Sequence, residues 1–310
     1  MQLRVVFAGT PAFAVPALDA IVAAGHSVPA VYTQPDRPAG RGRHLAASRV
    51  KARALELKLG VEQPLSMKTP ESLARLRLLA PDVLVVVAYG LILPQSVLVV
   101  PRLGCFNIHA SLLPRWRGAA PIQHAILAGD SLTGVTIMRM TAGLDAGPIV
   151  ARVEQHIDGH MTAGDLHDVL CAIGAPLMVE VLRSVAEGTA VLREQDANAV
   201  TYAPKISKDA ARITWGDCAE TIARQVRAYD PWPGAAALWR GQQIKIWRAE
   251  VRDGHQGARP GAVLNAGPSG IEIACGSGSL ALHTLQLPGR KRISAADFLH
   301  AHSIAGDQLS

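Results

Sequence analysis

The sequence predicts an α/β protein in two parts, a parallel-sheet domain followed by a small β-barrel, and three observations carry that reading. An apolar run at residues 3–8 ends in Gly9-Thr10-Pro11, and residues 12–24 then carry helix-compatible apolar spacing closed by Gly25, which is strand, turn and helix in succession. Residues 81–88 (PDVLVVVA) form a nearly continuous apolar run of the kind buried on both faces of a parallel sheet. Beyond the rigid turn Asp230-Pro231-Trp232-Pro233-Gly234, short β-rich runs at 236–240, 243–251, 261–264, 270–275 and 279–287 are separated by glycines, the pattern of a small barrel. The first part is therefore expected to be Rossmann-like.

A chain of 310 residues has room for two cores, one of roughly 200 residues and one of about 100. The expected division is 1–188, a linker at 189–210 whose periodicity is weak, and 211–310. Although 49% of the residues are apolar, no uninterrupted apolar run reaches membrane-spanning length. The longest candidate, residues 83–93, is broken by Gly90 and closed by Pro94. MQLRVVFAGT enters a strand directly with no leader in view, so a cytoplasmic protein that meets no membrane, working as a monomer, is the expectation. Cys105, Cys171, Cys218 and Cys275 are scattered and read as small apolar fillers without a bridge. His156-Ile157-Asp158-Gly159-His160 lacks a second ligand pair, so no metal is expected. A formal net charge of +6 suits an anionic partner.

Taken in order, residues 28–33 give a second strand and complete a βαβ unit. The opening turn lacks the second and third glycines of the dinucleotide fingerprint, which argues against NAD. Residues 34–44 (QPDRPAGRGRH) have no periodicity and read as a basic loop; Arg37, Arg41 and Arg43 there are suited to phosphate, since a guanidinium offers several donors to one anion. Helices are expected at 50–59 and 70–79, the second capped by Thr69. Tyr89, Gly90 and Leu91 leave the carboxyl end of the apolar strand at 81–88. Further elements are a helix at 119–128, strands at 134–140 and 149–157, a long helix from a capping box at Thr162 and Asp165 to Gly188, and a last helix at 294–302.

The chain is organised around residues 104–123, GCFNIHASLLPRWRGAAPIQ. Asn107 and His109 stand two apart in a strand, so both polar side chains leave one face while Phe106, Ile108 and Ala110 leave the other. Pro114 then ends any regular strand, and an irregular loop leads into the next helix. That order brings the loop to the carboxyl end of the sheet, where α/β folds hold ligands. Downstream, Gly143 and Gly147 flank Asp145 and let the chain turn tightly to present its carboxylate.

The run Asn107-x-His109-x-Ser111-Leu112-Leu113-Pro114, with Gly143-Leu144-Asp145-x-Gly147 after it, resembles the formyltransferases that use 10-formyltetrahydrofolate. The resemblance covers nearly the whole chain and is densest at 1–150. It implies that Asn107, His109 and Asp145 are catalytic, that 10-formyltetrahydrofolate is the cosubstrate, and that Ser111, Leu112, Leu113, Pro114, Tyr89, Gly90 and Leu91 hold it. It also implies an OB-like form for the barrel, initiator methionyl-tRNA as partner, and tRNA contacts from Arg37, Arg41, Arg43, Lys205 and Lys208. Two residues depart from the family pattern: Ala110 stands where glycine is frequent, and Arg49 where proline is common.

The implied reaction needs donors for a developing oxyanion, which an Asn amide supplies. It needs a group to take or relay a proton near neutral pH, which imidazole does, and a carboxylate to orient that imidazole. The same trio could hydrolyse formyl-folate with water as acceptor, or formylate a sugar amine, for which a different second domain and no basic loop are expected. A non-catalytic RNA-binding scaffold is disfavoured by the intact trio.

Overall fold

The computed structural model describes residues 2–39, 44–252 and 257–310, so Arg41 and Arg43 lie outside the described residues. The chain forms two compact units: residues up to Pro121 with Leu132–His156 and His167–Ala203, and Ile122–Ser131 with Ile157–Leu166 and Pro204–Ser310.

The first unit is built on a seven-stranded sheet ordered Ile149–His156, Leu132–Arg139, Gly104–His109, Val83–Val87, Val5–Gly9, Val31–Tyr32, Val61–Glu62. The last five are mutually parallel, and the first two are added at one edge by antiparallel pairing. Val5–Gly9, Val83–Val87 and Gly104–His109 are buried at every position. Their β-branched and aromatic side chains fill both faces, and burying each Val, Ile or Phe contributes about 1.5–3 kcal/mol. Ile149–His156 sits at the edge and alternates exposed with half-buried positions after its first residues, as a strand with one wet face does.

Several local expectations shift. The strand expected over 28–33 pairs as Val31–Tyr32 alone. The helix expected to reach Gly60 spans Arg49–Glu56, because Lys58 takes a left-handed backbone (φ 57°) two residues before that glycine. Ser48 caps it by accepting from Lys51 N at 3.0 Å, which makes Arg49 the first helical residue. That first helical position favours proline because its N–H has no partner within the helix, and it accepts arginine too. The basic loop is in part a ribbon, Arg37–Ala39 paired antiparallel with His44–Ala46. Strands of three residues show no alternation for a sequence reading to detect.

The helix Ala163–Glu187 has an 18-residue window of mean hydropathy 1.8, enough by length and composition to cross a membrane, which revises the expectation from uninterrupted apolar runs. Leu166, Leu170, Met178 and Leu182 on it are fully buried. A Cβ at its Gly174 would lie 3.2 Å from Ile108 Cγ2 and 3.3 Å from Val135 Cγ1 on the sheet, so this side of the helix packs closely on a sheet face. The expected capping box is present: Thr162 Oγ1 accepts from Asp165 N at 3.1 Å, and Asp165 Oδ2 accepts from Thr162 N at 3.0 Å.

The segment read as a linker does not run free. Arg193 exchanges two backbone hydrogen bonds with Ile149, and Tyr202–Ala203 pairs in parallel with Arg117–Gly118.

In the second unit the strands Ala235–Trp239, Gln242–Arg252, Ser279–Gln286, Gly270–Ala274 and Val263–Gly267 form an antiparallel sheet in that spatial order, with Ile293–Ser294 added to Ser279–Gln286. The C-terminal residues close it: Ser310 exchanges two hydrogen bonds with Leu238, while Leu309 N donates to Gly261 O and Val263 N to Asp307 O. A core of Trp215, Ile222, Trp239, Ile246, Leu282 and Phe298 fills the resulting barrel. Trp239 Nε1 donates to Asp307 Oδ2 at 2.8 Å and Arg240 Nε lies 3.0 Å from the same carboxylate, which holds that carboxyl below the usual range.

Candidate active site

Asn107 and His109 occupy the carboxyl end of Gly104–His109. Asn107 pairs with Val86 on one side and Met138 on the other, and His109 pairs with Thr136. They are 8% and 5% exposed, so each polar group must be satisfied by protein or by a ligand. His109 is anchored: its Nε2 is 2.8 Å from Trp116 O. A carbonyl only accepts, so Nε2 carries the hydrogen and Nδ1 is the nitrogen left to take a proton. Nδ1 faces Asp145 Oδ2 at 3.7 Å, just beyond direct hydrogen-bond range. Protonation of the ring would place a cation between a carbonyl and a carboxylate. Asn107, by contrast, is buried as a residue, yet its side-chain amide bonds no other group among the described residues and is not sealed from solvent.

The loop after the strand is tied down at almost every polar atom. Thr136 Oγ1 donates to Ser111 O at 2.7 Å and accepts from Leu113 N at 3.1 Å. Ser111 Oγ donates to Arg115 O at 2.6 Å, and Arg152 Nη1 donates to Leu113 O at 3.2 Å. Trp116 N donates to Thr201 Oγ1 at 2.9 Å, from a segment that has no site-like signature in sequence. Ala110 is buried without a positive φ, so the methyl is accommodated where the family often has glycine.

Asp145 is held from two sides. Its Oδ2 accepts from Gly118 N at 2.9 Å, and its backbone oxygen and that of Gly147 both accept from Gln195 Nε2, at 2.8 and 2.7 Å. A Cβ at Gly147 would lie 1.8 Å from Arg139 O, and one at Gly118, where φ is 122°, would lie 2.8 Å from Ala203 O. Both turns therefore require glycine for close backbone approach.

Backbone strain gathers here. Among the described residues, non-glycine positive φ occurs at Lys58, Ala80, Arg240, Ala88, Trp116 and Asp145. Lys58 and Ala80 follow helix ends, and Arg240 precedes Gly241 in a two-residue hairpin turn, the ordinary settings for that conformation. Ala88 follows the strand Val83–Val87, Trp116 holds His109 through its carbonyl, and Asp145 faces that imidazole. Such positions cost about 1–3 kcal/mol each and persist where surrounding bonds over-determine them.

The residues expected to hold a folate divide by what the fold leaves available. Tyr89 is 1% exposed; its ring lies in the apolar core beside Tyr32 and Leu93, burial pushes its phenol pKa up, and its carbonyl accepts from Thr10 Oγ1 (2.8 Å) and Gln34 Nε2 (3.2 Å). Ser111 and Leu113 are fully buried and internally bonded. Leu91, Leu112 and Pro114 are half-buried, Gly90 is exposed with φ 83°, and Ile92 is 73% exposed. These keep surface open to a ligand, whereas the side chains of Tyr89, Ser111 and Leu113 do not.

Arg37 is exposed on the ribbon and donates to Gln34 Oε1; below it Asp36 binds Lys51 Nζ at 2.6 Å and Gln63 Nε2 at 2.9 Å. Lys205 and Lys208 are exposed in the second unit, on either side of buried Ile206. A cavity of about 910 Å³ lies in the second unit among Arg224, Arg227, Trp247 and Arg292 and contains none of the trio. No group of three or more His, Cys, Asp or Glu suited to a metal ion occurs among the described residues.

The chain belongs to the formyl transferase family: the formyl transferase model matches residues 1–182 and the formyl transferase C-terminal domain model residues 205–303. Its curated relatives include the methionyl-tRNA formyltransferase of Thiobacillus denitrificans, 56% identical over 309 residues and 99% of either chain, and that of Methylococcus capsulatus, 52% identical over 307 residues and 99% of either chain. Among solved structures, the sugar 3N-formyl transferase WlaRD, in the presence of dTDP and 5-N-formyl-THF, matches with TM-score 0.68 at 19% identity, over 94% of this chain and all of that one. HypX from Aquifex aeolicus, in complex with tetrahydrofolic acid, matches with TM-score 0.66 at 18% identity, over 96% of this chain and 47% of that one.

Proposed function

We propose that the chain transfers the formyl group of 10-formyltetrahydrofolate to the α-amino group of methionine on initiator methionyl-tRNA, in the cytoplasm and as a monomer. The observation that carries this reading is the Asn107 amide, borne by a buried residue but open to a ligand and without a partner among the described residues, two positions along the strand from an imidazole whose tautomer is fixed by Trp116 O. The folate supplies an activated formyl group and a stable leaving nitrogen. Asn107 donates to the formyl oxygen as it gathers negative charge, an interaction stronger in the transition state than before it. His109 Nδ1 takes the proton released by the attacking amine. Asp145 stabilises the resulting imidazolium, and the proton is returned to the departing folate nitrogen.

Leu91, Leu112, Pro114 and the backbone at Gly90 hold the cosubstrate by apolar cover. Ser111, Leu113 and Tyr89 act behind them, shaping the loops. Arg37, Arg41, Arg43, Lys205 and Lys208 meet the phosphates of the tRNA, a contribution that weakens with salt.

The test is formyl transfer to charged initiator methionyl-tRNA beside charged elongator methionyl-tRNA, free methionine and a nucleotide-linked amino sugar. Transfer confined to the initiator tRNA is expected. Transfer to the amino sugar alone would move the chain to the sugar branch of the family.

A further inference from the structure

Gln195 lies in the segment after the long helix, fifty residues from Asp145 in sequence, yet all four hydrogen-bonding positions of its amide are occupied at the site. Its Oε1 accepts from Arg117 Nε at 3.0 Å and Nη2 at 2.8 Å, and its Nε2 donates to Asp145 O and Gly147 O. Guanidinium only donates and carbonyls only accept, so the orientation of the amide is set by its partners. Glu would match Arg117 but has no donor for the two carbonyls, Asn is a methylene shorter, and Lys or Arg would face Arg117 with a like charge.

Three consecutive residues share the task. Trp116 O fixes the His109 ring, Arg117 fixes Gln195, and Gly118 N holds the Asp145 carboxylate. Gln195 closes the circuit by tying the strained Asp145 backbone (φ 46°) to Arg117, the residue next to the Trp116 carbonyl that positions His109.

We infer that Gln195 is a positioning residue for the transfer step: it sets the separation of the His109 imidazole and the Asp145 carboxylate by clamping the Asp145–Gly147 turn to Arg117. The inference rests on the formyl-transfer reading above and deepens it.

The experiment compares Gln195→Glu, which keeps the acceptors for Arg117 and loses both donors, with Gln195→Met, which loses all four bonds. In each, kcat should fall about tenfold or more with KM for folate and for tRNA within about threefold, the signature of an interaction needed in the transition state rather than in binding. Placed in an Asp145→Asn background, either substitution should cost no more than about threefold further, because residues acting through one another are not additive. Values of kcat within about twofold of native, or full losses that multiply in the double variant, would overturn the proposal.

Exchange of the Gly118 amide, which donates to Asp145 Oδ2, reads the clamp without activity and should quicken about tenfold in Gln195→Met as local opening becomes easier. Absence of any formyl transfer by the native chain would count against the proposed function, whereas unchanged Gly118 exchange would count against the clamp. Should Gln195→Met fail to fold, the Gln195→Glu kinetics alone decide.

Discussion

The strand end bearing Asn107 and His109 and the ribbon bearing Arg37 belong to the same unit and are built to opposite tolerances. The first is buried, its two residues 8% and 5% exposed and the His109 ring held by Trp116 O. The second is a pair of three-residue strands with Leu45 73% exposed, anchored inward through Asp36 to Lys51 and Gln63. The difference follows from the work proposed for each. Stabilising a developing oxyanion requires donors fixed to within fractions of an ångström and removed from water, because reorganisation during the reaction would cancel the gain. Attraction to a polyanion is summed over many screened pairs, so no single placement is critical.

Substitution at the two places should therefore fail in different ways. The largest effect is expected at His109: His109→Ala should lower kcat about 10²–10⁴-fold, the usual range for a general base, with circular dichroism and folate binding near native. Near-native kcat would take proton transfer away from this residue. Far smaller is the effect expected at Arg37. Arg37→Ala should raise KM for tRNA a few-fold, leave kcat unchanged, and reduce the slope of log affinity against log salt by about 0.7–0.9, the change expected when one phosphate is no longer neutralised. A salt-independent fall in kcat would mean that the ribbon shapes the reaction centre and that the two regions do not divide the work in this way.

How far the site was legible depended on whether its parts lie close in the chain. Asn107, His109 and the loop after them form one uninterrupted stretch whose period of two and whose proline announce a strand end and a loop, and that much could be read directly. Asp145 was readable from its flanking glycines. Gln195 and Thr201 were not, since they come from a segment with weak periodicity and mixed polarity, and their roles exist only once that segment lies against Arg117–Gly118. No local signal distinguishes a Gln with four fixed partners from a solvated one.

Tyr89 illustrates the reverse. The resemblance implied a folate contact at Tyr89, but its side chain fills the core and its carbonyl ties the loop to Thr10 and Gln34. The barrel's existence was legible from repeated short strands and glycines, whereas its closure by the C-terminal residues rests on backbone bonds that composition does not encode.

The central claim is that the Asn107 amide stabilises charge on the formyl oxygen. Single-turnover formyl transfer by Asn107→Ala, with 10-formyltetrahydrofolate and charged initiator methionyl-tRNA both saturating, tests it most directly. Loss of one oxyanion donor should slow transfer about 10²–10³-fold while the Kd for folate stays within about threefold. Transfer at the native rate, or a loss explained wholly by weaker folate binding, would contradict it.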